Sequence, residues 1–375
     1  MIIDIIGGGI GGLTTAIALE QCGCKVRIFE GAQFIKPVGA GIIIASNAMQ
    51  VFDRLGLKEE VMNCGNSVST LNITQENLNL LSRIDLSSFE RKFGVKNTAI
   101  HRGTLQRILI NQIEKQSIFL DHELSAVTKT EDKHILEFTN GKKIESSFII
   151  GADGLNSIVR KQAFSLTHKR SANQICWRGV TDYELPVKHQ NELIEAWGRT
   201  GRFGFVQIAP KKVYWYALKA SSKYKVEEAN IQDFFKEFNP LVKKLIQSTK
   251  TSDIHLADIQ DLKPIRNWCH GTVCLIGDAA HAATPNMGQG ACQAIEDAYV
   301  LSKCINKYEL SLAFKQFQSI RKTKANHVVN LSWTIGKISH WTNPIAIEIR
   351  NLLIKIIPNS INKMQLKKLF KLPEI

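Results

Sequence analysis

No stretch of the sequence reaches the roughly eighteen consecutive apolar residues of a membrane-spanning helix, so none is expected. The apolar start lacks a basic leader, which argues against a secretory signal. Acidic residues run short: 34 Asp and Glu face 48 Lys and Arg, for a net charge of +14. The lysines are dispersed rather than gathered in a block, so a nucleic-acid partner is not expected, and anionic small molecules are the more economical partners. There is no C-x-x-C pair among the eight cysteines. Cys22 and Cys24 stand too close for a metal or redox spacing. All eight read as reduced thiols of a cytoplasmic protein, and no metal is expected. Internal repeats, low-complexity segments and obvious linkers are missing too.

What is present begins at once. Ile2 to Ile6 is an apolar run that breaks into Gly7-Gly8-Gly9-Ile10-Gly11-Gly12, continues as a helix to Glu20, and returns as a second strand from Lys25 to Glu30. Gly7, Gly9 and Gly12 fit G-x-G-x-x-G. The chemistry needs a tight turn, close backbone approach to a pyrophosphate, and close packing of helix on strand. The helix N-terminus offers free N–H groups to phosphate, and Glu30 can accept hydrogen bonds from a ribose.

Two more strand-to-helix junctions rich in small residues follow. Phe148-Ile149-Ile150, read as the end of the strand returning from the Asn140-Gly141 hairpin, runs into Gly151-Ala152-Asp153-Gly154. Thr272 to Ile276 runs into Gly277-Asp278, then Pro285-Asn286-Met287-Gly288-Gln289-Gly290-Ala291, then a helix. Arg102 stands just before another helix, where it can hold a phosphate or sit in solvent. Dense glycines in Pro37 to Ile44 suggest backbone close to a ligand. Ser46 is expected to cap a helix reaching Leu55. Residues 66–97 read as strands. Aromatic and β-branched strands between 173 and 220 form a separate antiparallel sheet, and 231–247 reads as one helix over it. The tail, 341–375, carries an apolar stripe with six Lys/Arg against two Glu. Packing on the protein's own body is the expectation for it, with contact to an anionic membrane the lesser alternative.

The three junctions, with Glu296-Asp297 closing the third, occur in an order that resembles the single-component FAD-dependent aromatic hydroxylases, the para-hydroxybenzoate hydroxylase-like group. Trp177-Arg178-Gly179 and the segment from Gly288 to Asp297 look closest to its salicylate hydroxylase, urate hydroxylase and zeaxanthin epoxidase branches. The resemblance covers nearly the whole chain. It implies an α/β fold in which a Rossmann-type FAD-binding domain (1–65, 98–172 and 266–330) interleaves with an antiparallel β-sheet substrate domain (66–97 and 173–265), followed by a C-terminal helical segment (331–375).

It also implies cofactor contacts. Gly7, Gly9, Gly11, Gly12, Glu30 and Gly31 would take the ADP half of FAD, Arg102 its phosphates, and Leu124 the adenine through backbone. Asp153 and Gly154 would support the pyrophosphate, Asp278 the ribityl chain, and Pro285, Gly288, Gln289, Gly290 and Ala291 the flavin ring. With a single dinucleotide fingerprint, NAD(P)H is expected as a transient co-substrate. The implied reaction is insertion of one atom of O2 into a small or medium organic substrate through a flavin C4a-hydroperoxide. Aromatic hydroxylation is the first expectation and epoxidation the second.

Substrate-lining candidates are Trp177, Arg202, Tyr214, Asn286 and Met287, with Phe205 beside them. Some relatives place an acid where this chain has Asn286, and Asn cannot act as a base. His281 reads as structural. A reductase of the geranylgeranyl reductase kind is the alternative. The halogenases that share the flavin domain are disfavoured, because no W-x-W-x-I-P stretch is present. A monomer or homodimer is expected.

Overall fold

The computed structural model describes residues 2–34, 40–166, 169–220 and 231–375. Ile2–Ile6 is the inner strand of a six-stranded sheet. Parallel to it on either side run Ile149–Gly151 and Lys25–Phe29, with Val273–Leu275 and Ile118–Phe119 beyond them. Cys269–His270 closes one edge antiparallel. Strands buried on both faces need apolar residues throughout, and Ile3, Ile5, Ile149, Ile150, Cys274 and Leu275 supply them. The strand returning from the Asn140-Gly141 hairpin, Lys143–Ser146, stays in a separate three-stranded sheet. Ile149–Gly151 is thus a strand of its own rather than its continuation.

The second layer is a seven-stranded sheet built mainly from Lys169–Asp182, Glu192–Trp197, Arg202–Ala209 and Lys212–Ala220. Thr70–Gln75 and Leu80–Asp85 extend it, the former pairing parallel to Glu192–Trp197. One face is covered by residues 231–247. That segment is two helices, Ile231–Phe234 and Pro240–Gln247, rather than one. Pro240 cannot continue a helix but suits its first turn, and Asn239 caps the second by accepting from Leu241 N at 2.9 Å.

Three further expectations change. Ser46 opens the helix Ser46–Arg54 from inside. Its N–H and hydroxyl donate to Asn97 Oδ1, so Asn97 does the capping. Ser87–Phe93, inside the stretch read as strands, is a helix started by Asp85, which accepts from Ser87 N, and ended at Gly94 with φ +70°. Pro37 to Gly39 lie outside the described residues; Gly41–Ile44 beyond them is a strand.

The C-terminal region is helical: Leu310–Ser339, Pro344–Ile356 and Asn359–Phe370. The stripe of Pro344–Ile356 mostly faces away from the body, contrary to expectation. Most large apolar side chains exposed among the described residues lie between Trp341 and Ile375. The helix Asn359–Phe370 does pack on the body as expected, through half-buried Leu366 and Leu369 and through Phe370, which lies edge-on to Phe89 at 5.2 Å.

Candidate active site

Close approaches at glycine join the three junctions. A Cβ on Gly12 would lie 2.0 Å from Gly7 O, so the helix Ile10–Glu20 rests directly on its own turn. A Cβ on Gly7 would meet Ala152 O at 2.5 Å, which locks the first junction to the second. Ala294, on the helix Gly290–Lys307, would stand 3.1 Å from a Cβ at Gly11 and 3.0 Å from one at Gly277, so the first and third meet there. Arg160, fully buried, ties second to third by donating to Ala279 O at 2.9 Å.

These turns leave donors and space in the middle. Gly9 starts the first helix without a side-chain cap, and Gln289 likewise starts Gly290–Lys307. A Cβ at Gly9, Gly154 or Gly288 would meet nothing within 4 Å. Glu30 Oε2 accepts from Gly8 N at 2.7 Å and Oε1 from Ala32 N at 2.9 Å, which fixes the carboxylate beside the glycine turn. Gln106 binds Gly8 O from the other side, while Gly31 lies against Glu123 and Leu124 is buried in its strand. Asp153 Oδ2 accepts from Ile158 N and Val159 N, whereas Oδ1, buried, has no partner among the described residues. Burial raises its pKa against those hydrogen bonds. Asp278 retains accessible surface although protein surrounds it, as for a side chain facing an internal cleft. That surrounding protein raises its carboxyl pKa, with His281 and Arg102 pulling the other way. Open space at three turns, two uncapped helix starts and an orphaned buried carboxylate oxygen fit a bound dinucleotide.

Behind the third junction lies a buried charge network. Asp297 accepts from Gly277 N at 2.9 Å, His281 Nε2 at 2.6 Å and Arg321 Nε at 2.7 Å. Burial pushes its pKa up, but His281 and Arg321 more than offset this and hold it below the usual range. Glu296 takes Arg321, Lys324 and Asn47. His281 is therefore a strut, as the sequence suggested.

The facing sheet supplies the other wall. Alternation decides which residues reach it. Arg202 lies opposite Leu218, and Tyr216 opposite both Gly204 and Arg178. Arg178, Glu195, Trp197, Arg202, Tyr214 and Tyr216 share one face. Trp177 and Phe205 fall on the other, in the apolar core with Phe203, Trp215 and Phe235. They do not line the site, contrary to expectation, because each sits one residue off the right parity. Tyr214 packs so closely on Gly41 that a Cβ there would come within 2.4 Å.

Arg202 is wholly buried. Its Nη1 donates to Glu195 Oε1 at 3.1 Å and its Nη2 to Asn286 Oδ1. Tyr216 OH donates to Glu195 Oε2 at 2.6 Å. Burial and then the Glu195 charge raise the Tyr216 pKa well above 10, so it stays a neutral donor. Asn286 donates to Thr284 Oγ1 and Ser332 O, at 2.8 and 2.9 Å. The structure brings Arg202 and Asn286 together, with Met287 half-buried next along the same turn. Glu195, Tyr216 and Arg178 escaped sequence reading, although strand parity with Arg202 would have pointed to the first two.

Two layered sheets with three converging glycine turns define the class of a dinucleotide-binding oxidoreductase. Residues 2–310 match the FAD binding domain family, and the chain belongs to the single-component FAD-dependent aromatic hydroxylases. It is 35% identical to an aurachin C monooxygenase/isomerase of Stigmatella aurantiaca, over 94% of this chain and 93% of that protein. It is 29% identical to a 2-heptyl-3-hydroxy-4(1H)-quinolone synthase of Pseudomonas aeruginosa, over 99% and 98%. The fold matches that of Klebsiella pneumoniae HpxO complexed with FAD and uric acid, at a TM-score of 0.90, 22% identity, and 99% and 96% coverage. The protein is an FAD-dependent monooxygenase of small aromatic molecules, in a family that draws electrons from NAD(P)H. The relatives are oxygen-using hydroxylases, which removes the reductase alternative.

Proposed function

We propose that the enzyme hydroxylates an uncharged bicyclic heteroaromatic ring of the 4-quinolone type that carries an alkyl chain. The observation that carries this reading is the Arg202–Glu195 pair. A free buried guanidinium would call for a carboxylate or other anionic substrate. Here Glu195 already balances it, so an anionic ring would meet Glu195 and Arg202 together and lose most of the attraction. A neutral ring bearing a carbonyl and an N–H suits the mixed donors and acceptors of Glu195, Tyr216 and Asn286. One relative is named as a 2-heptyl-3-hydroxy-4(1H)-quinolone synthase, which supports the same class.

FAD, when bound, activates O2 and delivers one oxygen atom to the ring. In this reading Gly7, Gly9, Gly12 and Glu30 hold its ADP half, Asp153, Gly154 and Arg102 its phosphates, and Asp278 with Gly288 to Ala291 its ring end. The protein's further work is to hold the substrate and exclude water. Asn286 orients without taking a proton, and Tyr216 stays protonated. No group of this trio is needed as a base, because the nitrogen of a 4-quinolone already feeds electrons into the ring, unlike a phenol awaiting deprotonation.

The test is NAD(P)H oxidation with peroxide monitored alongside, using 2-alkyl-4-quinolones, salicylate and urate. The proposal expects the quinolones to accelerate oxidation and yield hydroxylated product. Acceleration confined to salicylate or urate would overturn it.

A further inference from the structure

The outer side of the two C-terminal helices is built the wrong way round for a surface in water. Along Pro344–Ile356, Ile345, Ile349, Leu352 and Ile356 recur at helical spacing and are 68%, 52%, 59% and 62% exposed. The opposite side carries Arg350 and Asn351, and those are buried. Ile347 and Ile354 turn inward and are half-buried, but most of the helix's large apolar side chains face out, the reverse of an ordinary surface helix.

This helix cannot roll to turn them inward, because its polar side is fastened. Arg350 Nη1 donates to Ser339 O at 3.1 Å, and its Nε and Nη2 donate to Asn351 Oδ1 at 3.1 and 3.0 Å. The guanidinium lies over Trp197, 5.3 Å from the ring centroid. Trp197 in turn donates to Glu195 Oε1, the partner of Arg202. The inner side of the helix thus backs directly onto the substrate-side cluster, while its outer side faces solvent. Met364 on Asn359–Phe370 adds to the exposed apolar surface.

Charge selects the occupant. Between 341 and 375 the cations other than the buried Arg350 are Lys355, Lys363, Lys367, Lys368 and Lys371, against Glu348 and Glu374. Glu374 is spent on Lys371, at 2.8 Å. Lys92 sits among them, its pKa lowered by desolvation and then by the like charges of Lys367 and Lys371. A second copy docked here about a twofold axis would set these lysines against lysines. A surface offering both an apolar layer and negative charge satisfies the stripe and its rim at once.

We infer that the outer faces of Pro344–Ile356 and Asn359–Phe370 dock the enzyme on an anionic phospholipid bilayer, with the isoleucines and leucines entering the acyl boundary and the lysines meeting the headgroups. No helix among the described residues is long and apolar enough to cross a membrane, so the contact is peripheral. The inference goes beyond the proposed substrate and stands without it. It sets the membrane on the outer side of the helix whose inner side touches the Trp197–Arg202 cluster.

The test is flotation of the FAD-loaded protein with vesicles of phosphatidylcholine alone and of phosphatidylcholine with phosphatidylglycerol. The inference expects flotation with the anionic vesicles only, weakening as salt rises. Ile349→Asp with Ile356→Asp should abolish it while flavin content stays unchanged. Lys367→Gln and Lys368→Gln should each lower partition roughly five-fold. No flotation at low salt, flotation indifferent to phosphatidylglycerol, or a solution dimer that Ile349→Asp dissociates would each overturn it. Because every readout is binding, the result does not depend on which ring the enzyme hydroxylates.

Discussion

Arg202 and Glu195 form an ion pair beneath the sheet, 3.1 Å from Nη1 to Oε1, with the guanidinium 1% exposed and the carboxylate 15%. The arginine that would otherwise select an anion is thereby neutralised within the protein. Glu195→Gln frees that charge while keeping the shape. KM for a neutral quinolone should rise about tenfold, equivalent to roughly 1.4 kcal/mol, while an anionic aromatic such as salicylate gains. Steady-state selectivity between the two substrates reads this out. An unchanged ratio would mean that Arg202 does not set the charge preference.

Gly12 admits no side chain. Its Cβ would fall 2.0 Å from Gly7 O, a backbone atom that cannot move aside without breaking the glycine turn. Gly12→Ala should therefore purify largely free of flavin and melt lower than the wild type. Visible absorbance and thermal unfolding, each with and without added FAD, measure this.

Gly336 lets Asn286 through. A Cβ there would lie 2.3 Å from Asn286 Nδ2. Gly336→Ala should push Asn286 away from Ser332 and Arg202, at a cost of about 1–3 kcal/mol in stability. KM should rise with FAD content retained, because the displaced side chain lies on the substrate side. Kinetics and flavin stoichiometry on one preparation separate these effects.

His340 gives a pH dependence. Burial first, then the Arg202 charge, lowers its pKa from 6.5 to about 4. A base with a depressed folded-state value binds fewer protons folded than unfolded between those two limits. Its contribution to stability is complete above pH 6.5 and is lost as pH falls towards 4, up to on the order of 3 kcal/mol. Denaturant midpoints for wild type and His340→Phe should converge towards pH 4. A constant difference across that range would contradict the assignment.

The first thirty residues were legible because their chemistry is local: strand, glycine turn, helix and acid follow in one run, and Ile2–Ile6, Ile10–Glu20 and Lys25–Phe29 form where expected. The other two junctions were legible for the same reason. That they meet depends on small residues far apart in sequence, such as Gly11 against Ala294. The substrate wall was half legible. Arg202 and Asn286 stood out as residue types, but Trp177 was chosen where Arg178, one position on, points to the site. Register that local patterning does not fix settles that choice. Glu195 gave no signal, since an acid in a strand reads as solvated until its partner is known. The tail's periodicity was read correctly; Leu366, Leu369 and Phe370 pack inward as expected, but most of the stripe on Pro344–Ile356 faces out. Arg350, held by Ser339 and Asn351, decides which side faces in.

The central claim, monooxygenation at an FAD gripped by three junctions, is tested most directly by turning over a 2-alkyl-4-quinolone with NAD(P)H under 18O2. The account predicts one labelled oxygen atom in each product molecule for each NAD(P)H consumed. Product formed without oxygen, or label arriving from water, would contradict it.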